Sequence, residues 1–202
     1  MSFLINKLLI GTILLLFLLC PKINLAQIYD PKLDNDQDNL TNYEEQFIYF
    51  THPEMFDTDG DGYNDGEEIN NNYDPNLAGN DKITKIIGVN LKEQTLTYAL
   101  GPYLIKTIKI SSGIRRTPTP KGEFNVISKK PLVDYKGADY NYPKTKWNLL
   151  FKYSTPGSYY IHGAYWHNNF GRPMSHGCVN VPYSEMETLY NWVEDGVKIF
   201  IE

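Results

Sequence analysis

The chain has 202 residues, of which 21% are charged and 14% aromatic, with a formal net charge of −5 and two cysteines. This length allows one domain with a hydrophobic core, or one domain and a small module. Nucleic-acid binding is not expected, because the basic residues are scattered and no motif of that class occurs.

The first 26 residues are typical of a secretion signal. Lys7 precedes the apolar run 8–19, which Pro21 soon follows and which is shorter than the roughly 20 residues of a membrane span. We therefore expect an exported protein of the periplasm or cell envelope, cut near Ala26, without a transmembrane span in its mature form. Lipidation at Cys20 is the alternative.

Charge divides the remainder into two parts. Residues 27–82, the acidic segment, carry 15 acidic and 2 basic side chains, a net charge of −13. Residues 83–202, the β domain, carry 9 acidic and 15 basic ones, a net charge of +6. This asymmetry indicates cations as partners of the first part and an anionic substrate or surface for the second.

The acidic segment is a repeat. Pro31, Pro53 and Pro75 recur every 22 residues, and two loops with a twelve-residue ligand pattern lie between them. Ca²⁺ takes six to eight oxygens, and this spacing lets alternate side chains converge while position 7 offers its carbonyl and position 12 a bidentate Glu. The predicted ligands are Asp34, Asp36, Asp38, Leu40, Asn42 and Glu45 in the first loop, and Asp57, Asp59, Asp61, Tyr63, Asp65 and Glu68 in the second.

The loops resemble the thrombospondin type 3 calcium repeats, notably at residues 57–62 and 65–68. Asn39 stands where the first loop wants glycine, and Asn tolerates left-handed backbone. Thr41 and Asn64 replace the apolar residue that EF-hands place at position 8, which favours a rigid spacer that folds on calcium over a calcium sensor. A solvated, disordered acidic linker is the alternative.

The β domain is predicted to be mostly β. Runs of β-branched and aromatic residues between turn signals predict strands at 86–90, 95–100, 103–110, 124–127, 159–161 and 197–201. A helix is predicted to begin with a capping box from Ser184 to Glu187 and to end at Gly196. Eight aromatic residues of the loops belong either to a substrate groove or to the core: Tyr135, Tyr140, Tyr142, Trp147, Phe151, Tyr165, Trp166 and Phe170.

Cys178 is the one cysteine outside the signal, and a lone thiol in an exported chain indicates a nucleophile. A thiol with a pKa of about 8.5 needs a base or cation beside it. His176 lies two residues away, on the same side of an extended chain. His162 ends an apolar run upstream and is followed by Gly163. The amides around Gly177 and Cys178 are the predicted oxyanion hole.

Two stretches resemble the signature of the L,D-transpeptidase (YkuD-like) catalytic domain, Ile-His-Gly at 161–163 and Ser-His-Gly-Cys-Val-Asn at 175–180. Residues 112–113 and 117–124 resemble its Thr-Pro-x-Gly-x-Phe element, so the resemblance covers residues 83–202. It implies a β-sandwich fold and the cross-linking of peptidoglycan stem peptides in cell wall biogenesis, with no cofactor for catalysis.

The resemblance also implies roles for single residues. Cys178 is the nucleophile that carries the acyl group as a thioester, and His162 is the proton donor and acceptor. Because Gly163 has no side chain, a backbone carbonyl is expected to orient the imidazole. Supporting roles fall to Ser175, His176 and Gly177, and the predicted substrate contacts are Asn180, Arg172 and Tyr165.

Several alternatives stay open at this point. The acyl group can pass to water, as in an L,D-carboxypeptidase, or to a protein amine. Zinc bound by His162, His167, His176 and Cys178 is a rival reading of the same residues, and simple packing roles for the thiol and imidazole are another. A calcium-stabilised wall-binding protein without catalysis is the alternative from another class.

Overall fold

A computed structural model describes residues 30, 32–79, 81–155 and 157–202. The predicted secretion signal lies outside these residues. Within them, no helix is both long enough and apolar enough to cross a membrane. The chain is mostly β, as its sequence predicts.

The acidic segment contains short helical turns and the β domain contains the strands. In chain order the described elements are α1 (Asn42–Glu44), a π-helical turn (Glu45–Tyr49), α2 (Asp65–Asn71), β1 (Lys85–Asn90), β2 (Thr95–Leu100), β3 (Tyr103–Lys109), β4 (Gly122–Asn125), β5 (Ser128–Lys136), β6 (Asn141–Lys152), β7 (Tyr159–Ala164), β8 (Val179–Pro182), α3 (Tyr183–Trp192) and β9 (Lys198–Ile201). One sheet has the order β3-β2-β1-β9-β4 and the other the order β5-β6-β7-β8.

The two sheets enclose one hydrophobic core. Ile87, Leu96 and Ile199 of the five-stranded sheet belong to the same buried cluster as Leu149 and Ile161 of the four-stranded sheet. All five side chains are fully buried. Strands β1 and β2 alternate between buried and partly buried residues, whereas β6 and β7 contain continuous buried runs. Strands β7 and β8 contribute Ile161, Val179 and Val181 to this core.

The sequence predicts β1 to β4, β7 and β9 to within a few residues but does not predict β5, β6 or β8. The β5–β6 hairpin has a largely exposed first strand and carries Pro131, Pro143 and several lysines. Such a ribbon lacks the apolar alternation that marks a half-buried strand. Strand β8 has only four residues and directly follows the Cys178 loop.

The predicted capping box at Ser184 is wrong. Helix α3 begins one residue earlier, after Pro182, which caps it without a side-chain hydrogen bond and whose restricted φ suits a helix start. The helix also ends at Trp192, before Gly196. Val193 leaves the helix in an extended conformation and is fully buried in the core.

The acidic segment packs against the β domain through a second, small core. Leu40 and Tyr49 contact Tyr103 at the start of β3, and each of the three is 6% exposed. Tyr103 Oη donates to Asp74, and Asn76 Nδ2 donates to Tyr49 O at 2.9 Å and to Tyr103 Oη at 3.0 Å. The segment is thus joined to the edge strand of a sheet.

Candidate active site and cation sites

The two predicted chemical groups meet beside the parallel strands β7 and β8. The strand register places His162 opposite Asn180, and Cys178 lies two residues before Asn180. A cleft opens here. It is lined by Tyr135, Tyr140, Tyr142, His162, Trp166, Met174, Ser175, His176, Cys178 and Asn180. The cleft therefore brings together a thiol and an imidazole that are 16 residues apart in the chain.

The His162 imidazole is held in one orientation. Its Nδ1 lies 2.9 Å from the Gly163 carbonyl oxygen, which can only accept, so Nδ1 carries the proton and Nε2 keeps a free lone pair. The Tyr135 ring stacks on it at 4.4 Å between centroids. Burial lowers the pKa of His162 to about 4, partly opposed by the Gly163 hydrogen bond. The imidazole is therefore a neutral base at neutral pH.

The Cys178 thiol is partly buried and uncharged. Its Sγ lies 4.0 Å from the Ser158 carbonyl oxygen. Burial raises the pKa of Cys178 to about 11, although a backbone hydrogen bond at Tyr160 acts in the opposite direction. The resting site holds a thiol and a neutral imidazole, so the proton must move when the sulfur attacks.

Hydroxyl groups fix the loop that carries the thiol. Ser175 Oγ donates to Cys178 O at 2.5 Å and accepts from the Gly177 amide at 3.1 Å. Thr119 Oγ1 donates to Gly177 O at 2.9 Å. Gly177 has a φ of 121°, and a Cβ there would lie 2.7 Å from the Tyr159 ring, so only glycine fits. Of the two amides predicted for an oxyanion hole, the one of Gly177 is engaged by Ser175.

A second segment, which begins at Ser111, contacts the loop that carries Cys178. Ser111 forms an antiparallel bridge with Asn180, and Gly113 forms a parallel bridge with Ser175. A Cβ on Gly113 would lie 2.9 Å from the Gly177 Cα. The contact explains why the stretch around residues 112–119, noted through the family resemblance, belongs to the site. Thr119 is 4% exposed, and no sequence pattern alone singles out its hydroxyl.

His176 forms an outer wall of the cleft. The chain is not extended at Gly177, whose φ is positive, but His176 and Cys178 both line the cleft, as predicted from the alternation of side chains. His176 Nε2 lies 3.4 Å from Asp139 Oδ2, and its ring packs against Tyr140 at 4.5 Å between centroids, tilted by 33°. The side chain is 34% exposed, so its placement suits contact with a bound molecule or with the β5–β6 turn.

The three predicted substrate contacts are separated. Asn180 lines the cleft, and its Nδ2 lies 3.1 Å from His167 Nε2. Tyr165 Oη donates to the Pro143 carbonyl at 3.1 Å, and Arg172 is exposed. Neither Tyr165 nor Arg172 lines the cleft.

The geometry does not favour the zinc reading. Among the described residues, the groups of three or more candidate metal ligands are all aspartates of the acidic segment. His162 Nδ1 faces Gly163, His167 Nε2 faces Asn180 and His176 Nε2 faces Asp139. One ring nitrogen of each histidine thus faces a separate partner.

The structure sorts the eight aromatic residues. Phe151 is a core residue and Trp147 packs against the core. Four line the cleft: Tyr135, Tyr140, Tyr142 and Trp166. The rings of Tyr142 and Trp166 are stacked at 3.8 Å with an interplanar angle of 3°. The cleft wall is therefore flat and aromatic, whereas Tyr165 and Phe170 lie outside it.

The two acidic loops have the same internal geometry. In each, three carboxylates offer oxygens within 4.8 Å of one another. They belong to Asp34, Asp36 and Asp38, and to Asp57, Asp59 and Asp61. Position 6 is left-handed in both loops, with φ of 78° at Asn39 and 102° at Gly62. Asn39 thus adopts the left-handed conformation that was expected of it in place of glycine, and an Asn tolerates this conformation.

Corresponding oxygens of the two loops lack hydrogen-bond partners among the described residues. They are Asp36 Oδ2 and Asp59 Oδ2 at position 3, and both oxygens of Glu45 and Oε2 of Glu68 at position 12. Glu45 is fully buried and Glu68 is 3% exposed. Burial, with the neighbouring carboxylates adding to it, raises the pKa of each to about 8. Unpaired buried carboxylates are costly unless a cation or proton joins them.

The two predicted ligands at position 9 differ from the rest. Asn42 Oδ1 accepts from the Asn35 amide at 3.0 Å. Asp65 accepts from the Thr58 amide at 2.8 Å and from Thr58 Oγ1 at 2.6 Å. In each loop, the side chain at position 9 thus accepts hydrogen bonds from the residue at position 2. The free oxygens therefore come from positions 3 and 12.

Known proteins resemble the β domain. The sequence profile of the YkuD family, described as the L,D-transpeptidase catalytic domain, matches residues 84–201. The YkuD protein of Bacillus licheniformis is 28% identical over 127 residues, 63% of this chain and 71% of that protein. The catalytic domain of the Enterococcus faecium L,D-transpeptidase is 28% identical, with a TM-score of 0.52, over 58% of this chain and 96% of that domain.

A likeness of fold alone extends further. An L,D-transpeptidase from Mycobacterium smegmatis has a TM-score of 0.55 at 22% identity, over 61% of this chain and 60% of that one. This chain thus spans about three fifths of the mycobacterial protein. The profile match begins after the acidic segment.

Proposed function

The chain belongs to the L,D-transpeptidase catalytic domain family, which its β domain matches over residues 84–201, and from this premise we propose that it cross-links peptidoglycan stem peptides through an acyl group carried on Cys178. Its place of action is the cell envelope, reached by export. The observation that carries the proposal is the shared cleft of Cys178 and His162, in which the imidazole has a free Nε2.

The first half-reaction is the attack of the Cys178 sulfur on the carbonyl between the third and fourth residues of a donor stem peptide. His162 Nε2 takes the thiol proton as the carbon–sulfur bond forms. A neutral base suits this task, because the imidazole and the thiol are both uncharged before attack. The negative oxygen of the tetrahedral intermediate is stabilised by the Cys178 amide.

Departure of the amine completes the first half-reaction, and the second, attack by an acceptor amine, regenerates the thiol. The proton on His162 passes to the departing amine, so the terminal D-amino acid leaves and a thioester stays on Cys178. An acceptor amine then attacks the thioester and gives its proton to His162, which returns it to the sulfur. The flat wall of Tyr142 and Trp166 gives the extended peptide an apolar surface to lie against.

The test uses purified protein with muropeptides that bear tetrapeptide stems. Mass spectrometry should detect cross-linked dimers with the intact protein and an acylated Cys178 on the way. Cys178→Ala should abolish both, and His162→Ala should slow acylation by about 10²–10⁴-fold, the usual contribution of a general base. His52→Ala, a histidine of the acidic segment outside the cleft, is the matched control and should leave the rate unchanged.

Other products would identify other functions of the same site. Tripeptides without dimers would mean that water is the acceptor, as in an L,D-carboxypeptidase. A peptide attached to a protein amine would mean transfer to protein. No product and no acylated thiol from the intact protein would leave only a non-catalytic, wall-binding role.

For the acidic segment we propose two structural calcium sites of the thrombospondin type 3 kind. The supporting observation is the set of buried oxygens without partners, above all both oxygens of Glu45, which lies among the carboxylates of the first loop. Hard oxygen donors in this number suit Ca²⁺. Asp34, Asp36, Asp38, Glu45 and the Leu40 carbonyl would hold one ion, and Asp57, Asp59, Asp61, Glu68 and the Tyr63 carbonyl the other.

Titration calorimetry with CaCl₂ tests these sites. We expect two ions per chain. Glu45→Gln and Glu68→Gln should each remove one, since a neutral amide cannot replace a bidentate carboxylate. Glu67→Gln, next to Glu68 but exposed, is the matched control and should retain both. Absence of heat on titration, with unchanged circular dichroism in EDTA, would overturn the proposal.

A further inference from the structure

Gly163, which follows the proposed base His162 in the chain, lies against helix α3. Residues 162 and 163 point to opposite faces of β7, so His162 faces the cleft while the α-carbon of Gly163 faces helix α3. A Cβ at Gly163 would lie 2.4 Å from both Cδ1 and Cε1 of Tyr183. The tyrosine ring therefore lies directly against the glycine, on the side of the strand away from the cleft.

The Tyr183 ring is itself held in place. Its hydroxyl accepts a hydrogen bond from the Lys146 amide at 3.0 Å. Trp147 packs edge-on against it at 5.0 Å between centroids, and Tyr165 does so at 5.7 Å. Trp147 has a φ of 55°, a left-handed conformation that is uncommon for a bulky residue and needs support from its surroundings.

The arrangement forms one continuous line of contacts from helix α3 to the imidazole. Tyr183 presses on the Gly163 backbone, and the Gly163 carbonyl accepts from His162 Nδ1. Gly163 has no side chain that limits its own backbone rotation. The Tyr183 ring, packed against the face of Gly163 that lacks a side chain, restricts this rotation instead.

We propose that Tyr183 is a positioning residue, which immobilises Gly163 so that its carbonyl keeps the His162 imidazole in the orientation that leaves Nε2 facing the cleft. The inference rests on the proposed role of His162 as base. It also explains the His-Gly dipeptide, since any larger residue at 163 collides with the ring.

The first experiment measures release of the terminal D-amino acid from a tetrapeptide stem. Tyr183→Ala should lower kcat by about 10- to 100-fold with little change in KM, because a misaligned group near the reacting atoms costs rate more than binding. Tyr183→Phe keeps the ring on Gly163 and should stay within about threefold of the intact protein. Tyr190→Ala removes an aromatic ring from the same helix, away from Gly163, and controls for lost packing.

Double variants test the line of contacts. Tyr183→Ala should have no further effect on a protein that already carries His162→Ala, since the effects of residues that act through one another are not additive. Gly163→Ala should slow the intact protein as strongly as Tyr183→Ala does. In the Tyr183→Ala background the methyl group still meets the Lys146 carbonyl oxygen at 3.2 Å but no longer meets the ring, so Gly163→Ala should cost little more.

The pH profile separates positioning from general stability. Tyr183→Ala should shift the acid limb of kcat/KM, whereas Tyr190→Ala should not. An active intact protein with an unchanged rate in Tyr183→Ala, or with additive losses in the His162 double variant, would overturn the inference. An inactive intact protein would instead overturn the proposed function, which keeps the two failures apart.

Discussion

The β domain and the acidic segment are stabilised in opposite ways. The β domain buries a cluster that includes Ile87, Leu149 and Ile161 without exposure to solvent. The small core of the acidic segment includes Leu40 and Tyr49, together with Tyr103 of the β domain. Its other fully buried side chains are largely carboxylates. The first region therefore folds on the hydrophobic effect, and we expect the second to need cations.

The same contrast appears in the buried ionisable groups. In the acidic segment, Glu45 and Glu68 lie among like charges, and the pKa of each is raised. In the cleft, Cys178 and His162 lie beside aromatic rings, and burial is the main cause that raises the pKa of the thiol and lowers the pKa of the imidazole, so both groups are neutral. One region gathers like charges in its interior, whereas the other keeps its buried ionisable groups neutral.

Removal of calcium should have the largest effect. EDTA should abolish amide protection throughout residues 32–79, because repulsion between the buried carboxylates is then unopposed. The β domain should keep its protection, except at the start of β3, where Tyr103 loses its neighbours. Hydrogen exchange measured by mass spectrometry checks this region by region. Equal loss in both regions, or in neither, would contradict the contrast between them.

A cavity in the apolar core should destabilise the β domain. Leu149→Ala should lower the free energy of unfolding of the β domain by about 2–5 kcal/mol, the usual cost of such a truncation in a packed core. Urea denaturation in saturating CaCl₂ measures it. Leu132→Ala, on the neighbouring strand but 54% exposed, is the matched control. A larger effect on calcium affinity than on unfolding of the β domain would reverse the assignment.

Alkylation of Cys178 tests the neutral state of the cleft. With its pKa raised to about 11, the thiol should react with iodoacetamide at pH 8 about 100-fold more slowly than the same residue in unfolded protein. The rate should rise about tenfold per pH unit up to pH ~10. The shift also stabilises the fold below the unfolded pKa of about 8.5, and this stability is lost as the pH rises toward 11.

One result of the alkylation experiment would contradict a neutral thiol. A rate that is already constant between pH 6 and 8 would mean a thiolate paired with a protonated imidazole. Cys178→Ala supplies the blank for any reaction at Cys20. Mass spectrometry of the modified peptide identifies the site.

The contact between the two regions should give the smallest effect. Tyr103→Phe removes the hydroxyl that Asp74 and Asn76 share, at a cost of about 1 kcal/mol for a hydrogen bond. We expect calcium affinity to fall about fivefold, since the docked segment loses that support. Tyr153→Phe, at an exposed tyrosine, should leave the affinity unchanged. Calorimetry compares the two variants.

Sequence reasoning succeeded where a pattern is local. Runs of β-branched and aromatic residues between turn signals predict β1, β2 and β3, because such side chains favour strands. It failed at the β5–β6 hairpin, whose exposed residues carry no apolar period. For this reason it could not predict that the Tyr135 ring stacks on the His162 imidazole. The sequence does predict helix α3 but misplaces its ends, because the helix start is decided by Pro182 and by the packing of Tyr183, not by the best capping sequence nearby.

What the sequence by itself determined is the chemistry that the chain carries. One thiol, a histidine followed by glycine, and two loops of alternating aspartates are legible without coordinates, because residue type and short spacing define them. Tertiary structure alone decided which groups meet: His162 with Cys178 across the parallel strands β7 and β8, Thr119 beneath the loop, and Tyr183 against Gly163. Such contacts join residues that are far apart in the chain, and only the packing of two sheets and a helix brings them together.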